Sequence, residues 1–581
     1  MRYPTLPVFE TKQESVKTFK GYNHNLKIGT GEFYDMQNMT SDLHPILSPR
    51  KKRGVYAKPA SPQGMIAKDR ICYVDGSAFV MGEDRIEMGL SVLEKDCPKQ
   101  LVSMGAYVII LPDRKYINTM APEEQGDIDA SFTTSGTVRF ELCDIGGTGY
   151  NATISPAAPA NPENLQYWID TSVTPNVLKQ YAKSSSQWVT IVTTYVKISA
   201  TGIGKAFAEH DGVHLSGITA EAVKDLNAAA VIWARGDDYI VVTGILNQVT
   251  TQQDAVTVSR RMPAMDFVIE SGNRLWGCRY GLSNDGQYVN ELYASKLGDF
   301  KNWNCFMGLS TDSYAASVGS DGAFTGAVTY LGYPLFFKET IVHKVYGSYP
   351  ANFQIQDTGC RGVQPGCHNS LAVVNETLFY KARGCVCGFD GSLPAEVSKQ
   401  LGTESYSNAV AAAHGNKYYV SMMDAGGIWH LFVYDTAKSM WHREDNLHAL
   451  SFCSHKGELY CVDAEDRNII TMLGSGEAYE DVVHWMAETG NQGIFTPEMK
   501  YLSRVTIRME LERGSKVEIY ARYDLSDEWL HVCTVFGTNL RSFSVPVRPR
   551  RTDHFQLRFV GEGPAKIYAY TKTLEQGSEL S

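Results

Sequence analysis

Three short stretches decide how this chain is read: Asn375-Glu376-Thr377-Leu378-Phe379-Tyr380, Asn416-Lys417-Tyr418-Tyr419-Val420 and Gly457-Glu458-Leu459-Tyr460-Cys461. Each sets a turn residue ahead of a short apolar, aromatic run. Asn375, Asn416 and Gly457 stand 41 residues apart, and Gly332, ahead of Tyr333-Pro334-Leu335-Phe336-Phe337, stands 43 before Asn375. A period near 40 is the length of one four-stranded propeller blade. Arg70-Ile71-Cys72-Tyr73-Val74, Ala106-Tyr107-Val108-Ile109-Ile110 and Arg274-Leu275-Trp276-Gly277 are further copies of the run. The closing half of a blade is legible too: Leu431-Phe432-Val433-Tyr434-Asp435-Thr436 leads through a turn to Trp441, and Tyr293-Ala294-Ser295 leads through Gly298-Asp299 to Trp303. The expected fold is mostly β: a β-propeller-like core of six or seven blades, protecting its strand edges between neighbours.

Outward from the repeat, the period breaks over 121–262. That Thr/Ser/Ala-rich segment holds strand-like runs at Trp188–Val192 and Asp238–Val242, and one expected helix at Ala220–Asn227 with Thr219 as its N-cap. It reads as one or two inserted β-rich domains between blades at 61–120 and blades at 263–490. From 491 to 581 the pattern becomes strict alternation: Val505, Ile507, Met509 and Leu511 against Thr506, Arg508, Glu510 and Glu512, repeated at Val517-Ile519-Ala521-Tyr523 and Phe555-Leu557-Phe559. One-sided strands with short turns predict an antiparallel β-sandwich. Residues 1–60 lack either pattern, end in Arg50-Lys51-Lys52-Arg53, and read as an extended arm that gains stability by lying along something else.

The 581 residues carry 43% hydrophobic and 20% charged side chains, 32 Tyr, 51 Gly and a net charge of −10. This is a globular balance, and the total charge recruits no nucleic acid by counterion release. The opening Met1–Pro7 has no apolar run or small-residue cleavage site, and no apolar stretch is long enough to span a bilayer, so no secretory leader and twelve reduced cysteines are expected.

Motifs that carry chemistry are scarce. No Walker loop, Gly-x-Ser-x-Gly elbow or His-Glu-x-x-His occurs, and Gly202-Ile203-Gly204 lacks the rest of a dinucleotide fingerprint. The best metal candidate is Cys385-Val386-Cys387 with Cys360, Cys367 and His368 upstream. Its spacing is not that of a zinc knuckle, and half-buried strand thiols are the simpler reading. Ser283-Asn284-Asp285-Gly286 and Ser320-Asp321-Gly322 only echo a sialidase repeat and read as Asp-Gly turns. Asp424, Asp435 and Glu444-Asp445 are the acids that could meet near a propeller axis, although surface turns are the simpler home for them. Trp168, Tyr181 and Trp188 form either a sugar platform or the core of a small domain. No catalytic, metal or cofactor residue is assigned, no cofactor is expected, and the chain is expected not to be an enzyme. Arg50, Lys51, Lys52 and Arg53 are the candidate partner contacts. Arg548-Pro549-Arg550-Arg551 shares their character, with solvated charge as the alternative for both.

The N-terminal string Gly31-Glu32-Phe33-Tyr34-Asp35-Met36-Gln37-Asn38-Met39, followed by Pro45 and Ser48-Pro49-Arg50, resembles the opening of bacteriophage tail and head-completion proteins. Asn273–Gly281, Glu291–Ser295 and Gly298–Trp303 are similar to runs in virion proteins of phages that infect Gram-positive hosts. The family is that of tail nozzle proteins (tail tubular protein B) and DNA-stabilisation connectors. It implies a structural virion part assembled in the host cytoplasm, a ring of copies of this chain, commonly six, set between adaptor or portal-side proteins and distal tail proteins. Genomic DNA would pass its channel without specific binding, and no membrane span is implied. A receptor-binding or baseplate protein that touches host glycans, and a propeller glycosidase, remain as alternatives.

Overall fold

Two-residue hairpins produce the 41-residue period. Residues 375–376, 415–416 and 456–457 join Ala372–Val374 to Thr377–Ala382, Tyr406–His414 to Lys417–Asp424, and Ala449–His455 to Glu458–Asp463. Backbone φ is positive at Asn375, Glu376, Gly415, Lys456 and Gly457. That is the conformation tight hairpins require and Asn and Gly accept most readily. Turns of successive blades also touch: Asn375 Nδ2 donates to Asn416 Oδ1 at 3.2 Å and to Thr436 Oγ1 at 2.9 Å.

The computed structural model describes residues 11–94, 97–494, 499–524 and 526–576. They fall into two compact units: Met1–Lys99 with Phe337–Val342 and Thr358–Ser581, and Gln100–Phe336 with His343–Asp357. Among the described residues, seven blade-like sheets run in chain order, at 62–87, 100–127, 267–317, 326–359, 372–396, 406–443 and from 449 onward. The seventh takes a strand from the other end of the chain: Gly54–Ala57 pairs antiparallel with Ile469–Thr471, and the Gly54 amide donates to Thr471 Oγ1 at 3.1 Å. The number of blade-like sheets, seven among the described residues, equals the upper of the two expected counts.

Alternation on each strand feeds the layers between blades. In the first unit Tyr419, Leu431 and Val433 of the sixth blade pack on Leu459, Cys461 and Ile470 of the seventh. Val462 and Ile469 of the seventh pack in turn on Ile71, Tyr73 and Val80 of the first. In the second unit Val102 and Ile109 meet Val268 and Leu275, and Trp276 and Leu292 meet Phe336 and Val345. At about 25 cal/mol per Å² of buried apolar surface, each such large side chain contributes about 2 kcal/mol. Trp441 is fully buried and its indole N–H donates to Val397 O at 2.7 Å, so the aromatic anchor leaves no polar atom unpaired.

The insertion comprises three sheets. Ala130–Thr133, Thr257–Arg260, Gly212–Ser216 and Ala229–Val231 form one; Ala234–Gly236, Tyr239–Thr243, Tyr195–Ser199, Val138–Cys143 and Thr250–Gln252 form the second. They share a core of Val138, Phe140, Ile198, Leu215, Ile240 and Val258. The third sheet, 152–190, opens with a parallel pair and so is not a blade. The expected helix is a short 3₁₀ turn, Glu221–Leu226, with no side-chain cap. Thr219 Oγ1 instead donates to Asp254 Oδ2 at 2.7 Å, which removes the capping group the sequence promised.

The C-terminal strands and the N-terminal segment build one sandwich. Lys500–Tyr523 bends at Gly514, where φ is +91° and the register breaks between Leu511 and Lys516. Its first half pairs with Ala565–Gln576 and its second with Phe555–Glu562. Val505, Ile507, Met509, Leu511, Val517 and Ile519 are all buried. Trp485 lies flat over Gly561, where a Cβ would stand 2.1 Å from the ring. Within 1–60, expected as an extended arm that lies along something else, Thr11–Val16 pairs with Ala565–Gln576 from Thr11↔Glu575 to Val16↔Tyr570, and Glu32–Gln37 pairs with His484–Thr489. The segment lacks a core of its own because it completes two other sheets. Among the described residues, no helix is long and apolar enough to cross a membrane.

Candidate functional site

The four candidate contacts divide by depth. Arg53 is 3% exposed and donates to Asp445 Oδ2 at 2.6 Å and Glu444 Oε2 at 2.9 Å. Arg50 grips Glu480 through two N–H groups at 2.6 and 2.7 Å. Both arginines are therefore consumed inside the first unit, which corrects the reading of a four-residue patch facing a partner. Lys51 and Lys52 are exposed, and Lys52 Nζ donates to the Asp481 carbonyl. These lysines border a cleft of about 370 Å³ that Glu510, Glu512 and Lys566 also line.

The acids near the blades do not converge. Asp424 caps its own hairpin, accepting from Gly426 N at 2.8 Å and Ile428 N at 2.9 Å, and pairs with His430 Nε2 at 2.8 Å. Asp435 accepts from Ser41 Oγ at 2.6 Å and pairs with Lys438. Ser283–Gln287 is a hairpin turn closed by Ser283 N donating to Gln287 O. A line that sequence reasoning missed runs from Ser320 Oγ to His343 Nε2 at 2.8 Å and from His343 Nδ1 to Asp357 Oδ1 at 2.5 Å. Its burial is inverted relative to a working relay: the imidazole is fully buried and the carboxylate is half exposed.

One cavity on the blades has the size and lining of a ligand site. It measures about 560 Å³ and is lined by Gly366, His368 and Asn369 ahead of the fifth blade, Asn408 and Val410 on the first strand of the sixth, Trp429 at the start of its third strand, and His448 between the sixth and seventh. Trp429 and His448 stack at 3.8 Å with planes 11° apart. Burial pushes the His368 imidazole below its usual value, so it is neutral at pH 7 and both donates and accepts. Two amides, two imidazoles and a ring face suit a neutral, hydroxyl-rich ligand. The lining residues include no carboxylate. Of these side chains the sequence reading had singled out only His368, as a metal ligand.

The thiols and the aromatic trio resolve differently. Among the described residues, no three His, Cys, Asp or Glu side chains are grouped to hold a metal. Cys367 accepts from Ala409 N at 3.4 Å, apart from the Cys385–Cys387 pair, whose sulfurs lie 3.6 Å from each other. Trp168 is buried, donates to Ser155 O, and meets Trp188 edge-on at 5.3 Å, while Lys179 covers its ring at 4.8 Å. Tyr181 and Trp188 are half-buried, and the core against this sheet is instead Leu142, Ile169 and Leu178.

The sandwich presents one long edge. Leu530–Val545 pairs along Lys500–Tyr523, and among the described residues no strand pairs with its outer side. Phe536 is 67% exposed and Leu540 52%. A sixteen-residue strand with apolar side chains and an open row of amides is a template for another chain.

No family model matches the chain, and no curated protein matches it in sequence. Solved structures do match at the level of fold. They include an exo-β-1,3-galactanase from Phanerochaete chrysosporium with galactose (9% identity, 52% of this chain and 94% of that one, TM-score 0.21). A family 43 arabinoxylan arabinofuranohydrolase from Bacillus subtilis gives 8% identity, 54% and 95% coverage and TM-score 0.19, and the N-terminal domain of Nup159 gives 7%, 78% and 99%, and 0.20. At such scores the likeness carries no argument about activity. It does correct one expectation: the matched proteins include glycoside hydrolases, so the chain is not assigned a non-enzymatic character.

Proposed function

We propose that the chain is a structural component of a bacteriophage tail, a nozzle or connector ring assembled from copies of itself. The observation that carries this reading is the open edge of Leu530–Val545 with Phe536 and Leu540 exposed, which suits pairing with a neighbouring copy. The phage-like string supports it as well. Glu32–Gln37 is a strand of the sandwich, Met39–Thr40 pairs with Ser48–Pro49, and Asn38 N donates to Glu444 O just after the sixth blade, so the resemblance falls on architecture. A net charge of −10 suits a channel that conducts DNA without holding it. Adaptor and distal tail proteins would be the flanking partners, and the virion tail the location. Mass photometry of the purified chain tests the reading. Discrete multiples of 64.4 kDa are expected, reduced to single chains by Phe536→Glu with Leu540→Glu; assembly untouched by that pair removes the edge from the account.

A second reading, a propeller that binds or processes a saccharide, is favoured by the 560 Å³ cavity with Trp429, His448, Asn369 and Asn408. Turnover of chromogenic aryl glycosides, or saccharide binding lost in Trp429→Ala, would establish it. No turnover and no binding across a saccharide panel would remove it.

A further inference from the structure

We propose that Cys385 and Cys387 form a dithiol capture site for a small thiophilic centre that bridges both sulfurs. The strand Cys385–Phe389 follows a turn at Arg383-Gly384, and residues two apart on a strand share a face, so the two side chains stand side by side. Their sulfurs are 3.6 Å apart, an S–H···S contact rather than a bond. Cys385 is 5% exposed and Cys387 is fully buried. Arg361, exposed on the segment that leads into the fifth blade, donates Nη1–H to Cys385 Sγ at 3.3 Å, and Tyr380 O–H fixes that segment by donating to Arg361 O at 2.6 Å. Ala382 and Tyr380 face the two cysteines from the neighbouring strand, and Glu396 faces Cys387 from the other side.

Electrostatics separate the two thiols. The hydrogen bond from Cys387, then that from Arg361, hold Cys385 down to about 6, so it is largely thiolate at neutral pH. The same contact, with burial, pushes Cys387 up, so it keeps its proton and donates it. Elsewhere burial raises the buried thiols Cys72, Cys143, Cys305, Cys367, Cys453 and Cys461. Two soft sulfurs beside a fixed guanidinium suit a centre that needs two thiolates and gains from a nearby positive charge. Tetrahedral zinc, which needs four ligands, does not match the pair.

A trivalent phenylarsenoxide is the probe. The Cys387 S–H bond breaks, the Cys385 thiolate and the freed Cys387 sulfur form two S–As bonds, the As–O bond breaks, the oxide oxygen leaves as water with the Cys387 proton and one proton from solvent, and no oxidation state changes. The reagent ignores a lone exposed thiol such as Cys97, which cannot chelate it. Native protein is expected to gain one arsenical by mass spectrometry, resistant to excess monothiol and released by dithiothreitol. The adduct should persist in Cys97→Ser and vanish in both Cys385→Ser and Cys387→Ser. Arg361→Ala keeps both thiols and guards against misfolding of the serine variants; it should retain the adduct but slow iodoacetamide alkylation of Cys385 at pH 6.5 several-fold. An adduct that survives either serine variant, or native protein that takes none while urea-unfolded protein does, overturns the proposal.

Discussion

Arg50-Lys51-Lys52-Arg53 and Arg548-Pro549-Arg550-Arg551 look alike in sequence and behave oppositely in the fold. In the first, both arginines turn inward onto Glu444, Asp445 and Glu480. In the second, all three arginines are exposed, and the Arg550 guanidinium stands over the Tyr523 ring at 5.8 Å. What separates them is the neighbour rather than the charge. The sixth blade's last strand, Met440–Arg443, ends directly into Glu444-Asp445, and the N-terminal segment passes that point on its way to becoming the fourth strand of the seventh blade. A basic run lying where a blade releases two acids becomes a clamp. The same run on the sandwich margin stays in solvent.

Breaking the clamp should have the largest effect. Arg53→Ala removes the two short pairs of the clamp, leaves Glu444 and Asp445 only the longer contacts to Arg50 at 3.8 and 3.6 Å, and is expected to cost about 3 kcal/mol in urea unfolding. Glu480→Gln keeps the shape and removes one charge from a partly exposed pair, for a loss of about 1–2 kcal/mol. The triple change of Arg548, Arg550 and Arg551 to Ala should stay within about 0.5 kcal/mol. A large loss there, or none in Arg53→Ala, would erase the distinction.

Acid titration sharpens the contrast. Burial works against Asp445 and Glu480, yet the charges of Arg53 and Arg50 hold Asp445 down, and the hydrogen bond from Arg50 does the same for Glu480. A depressed carboxyl contributes stability above its unfolded pKa of about 4 and loses it as pH falls through the folded value. Burial raises Glu444, whose contribution has the opposite sign and is lost as pH rises. Two against one, the clamp should weaken below about pH 4. Unfolding midpoints at pH 3 and pH 6 should lie closer together in Arg53→Ala than in the parent chain.

Local signals made the blades readable. Asn375, Asn416 and Gly457 are turn residues, and a two-residue hairpin needs only its own neighbours to declare itself. The alternation from Val505 to Tyr523 is equally local. The N-terminal strands were hidden because Thr11 pairs with Glu575 and Gly54 with Thr471, and a six-residue strand carries no trace of a partner that distant. The insertion hid its core the same way: Ala130–Thr133 pairs with Thr257–Arg260, across more than a hundred residues. The cavity draws His368, Asn408, Trp429 and His448 from successive blades, so no single window of sequence contains it. The dithiol was visible as Cys385-Val386-Cys387; its partner Arg361 was not.

A nozzle or connector role requires that copies of this chain assemble into a ring. Negative-stain imaging of the purified chain at micromolar concentration tests that directly. Closed rings with a central channel, lost in Phe536→Glu with Leu540→Glu, are the predicted result. Single particles at every concentration, joined to turnover of an aryl glycoside, would contradict it and hand the function to the cavity on the blades.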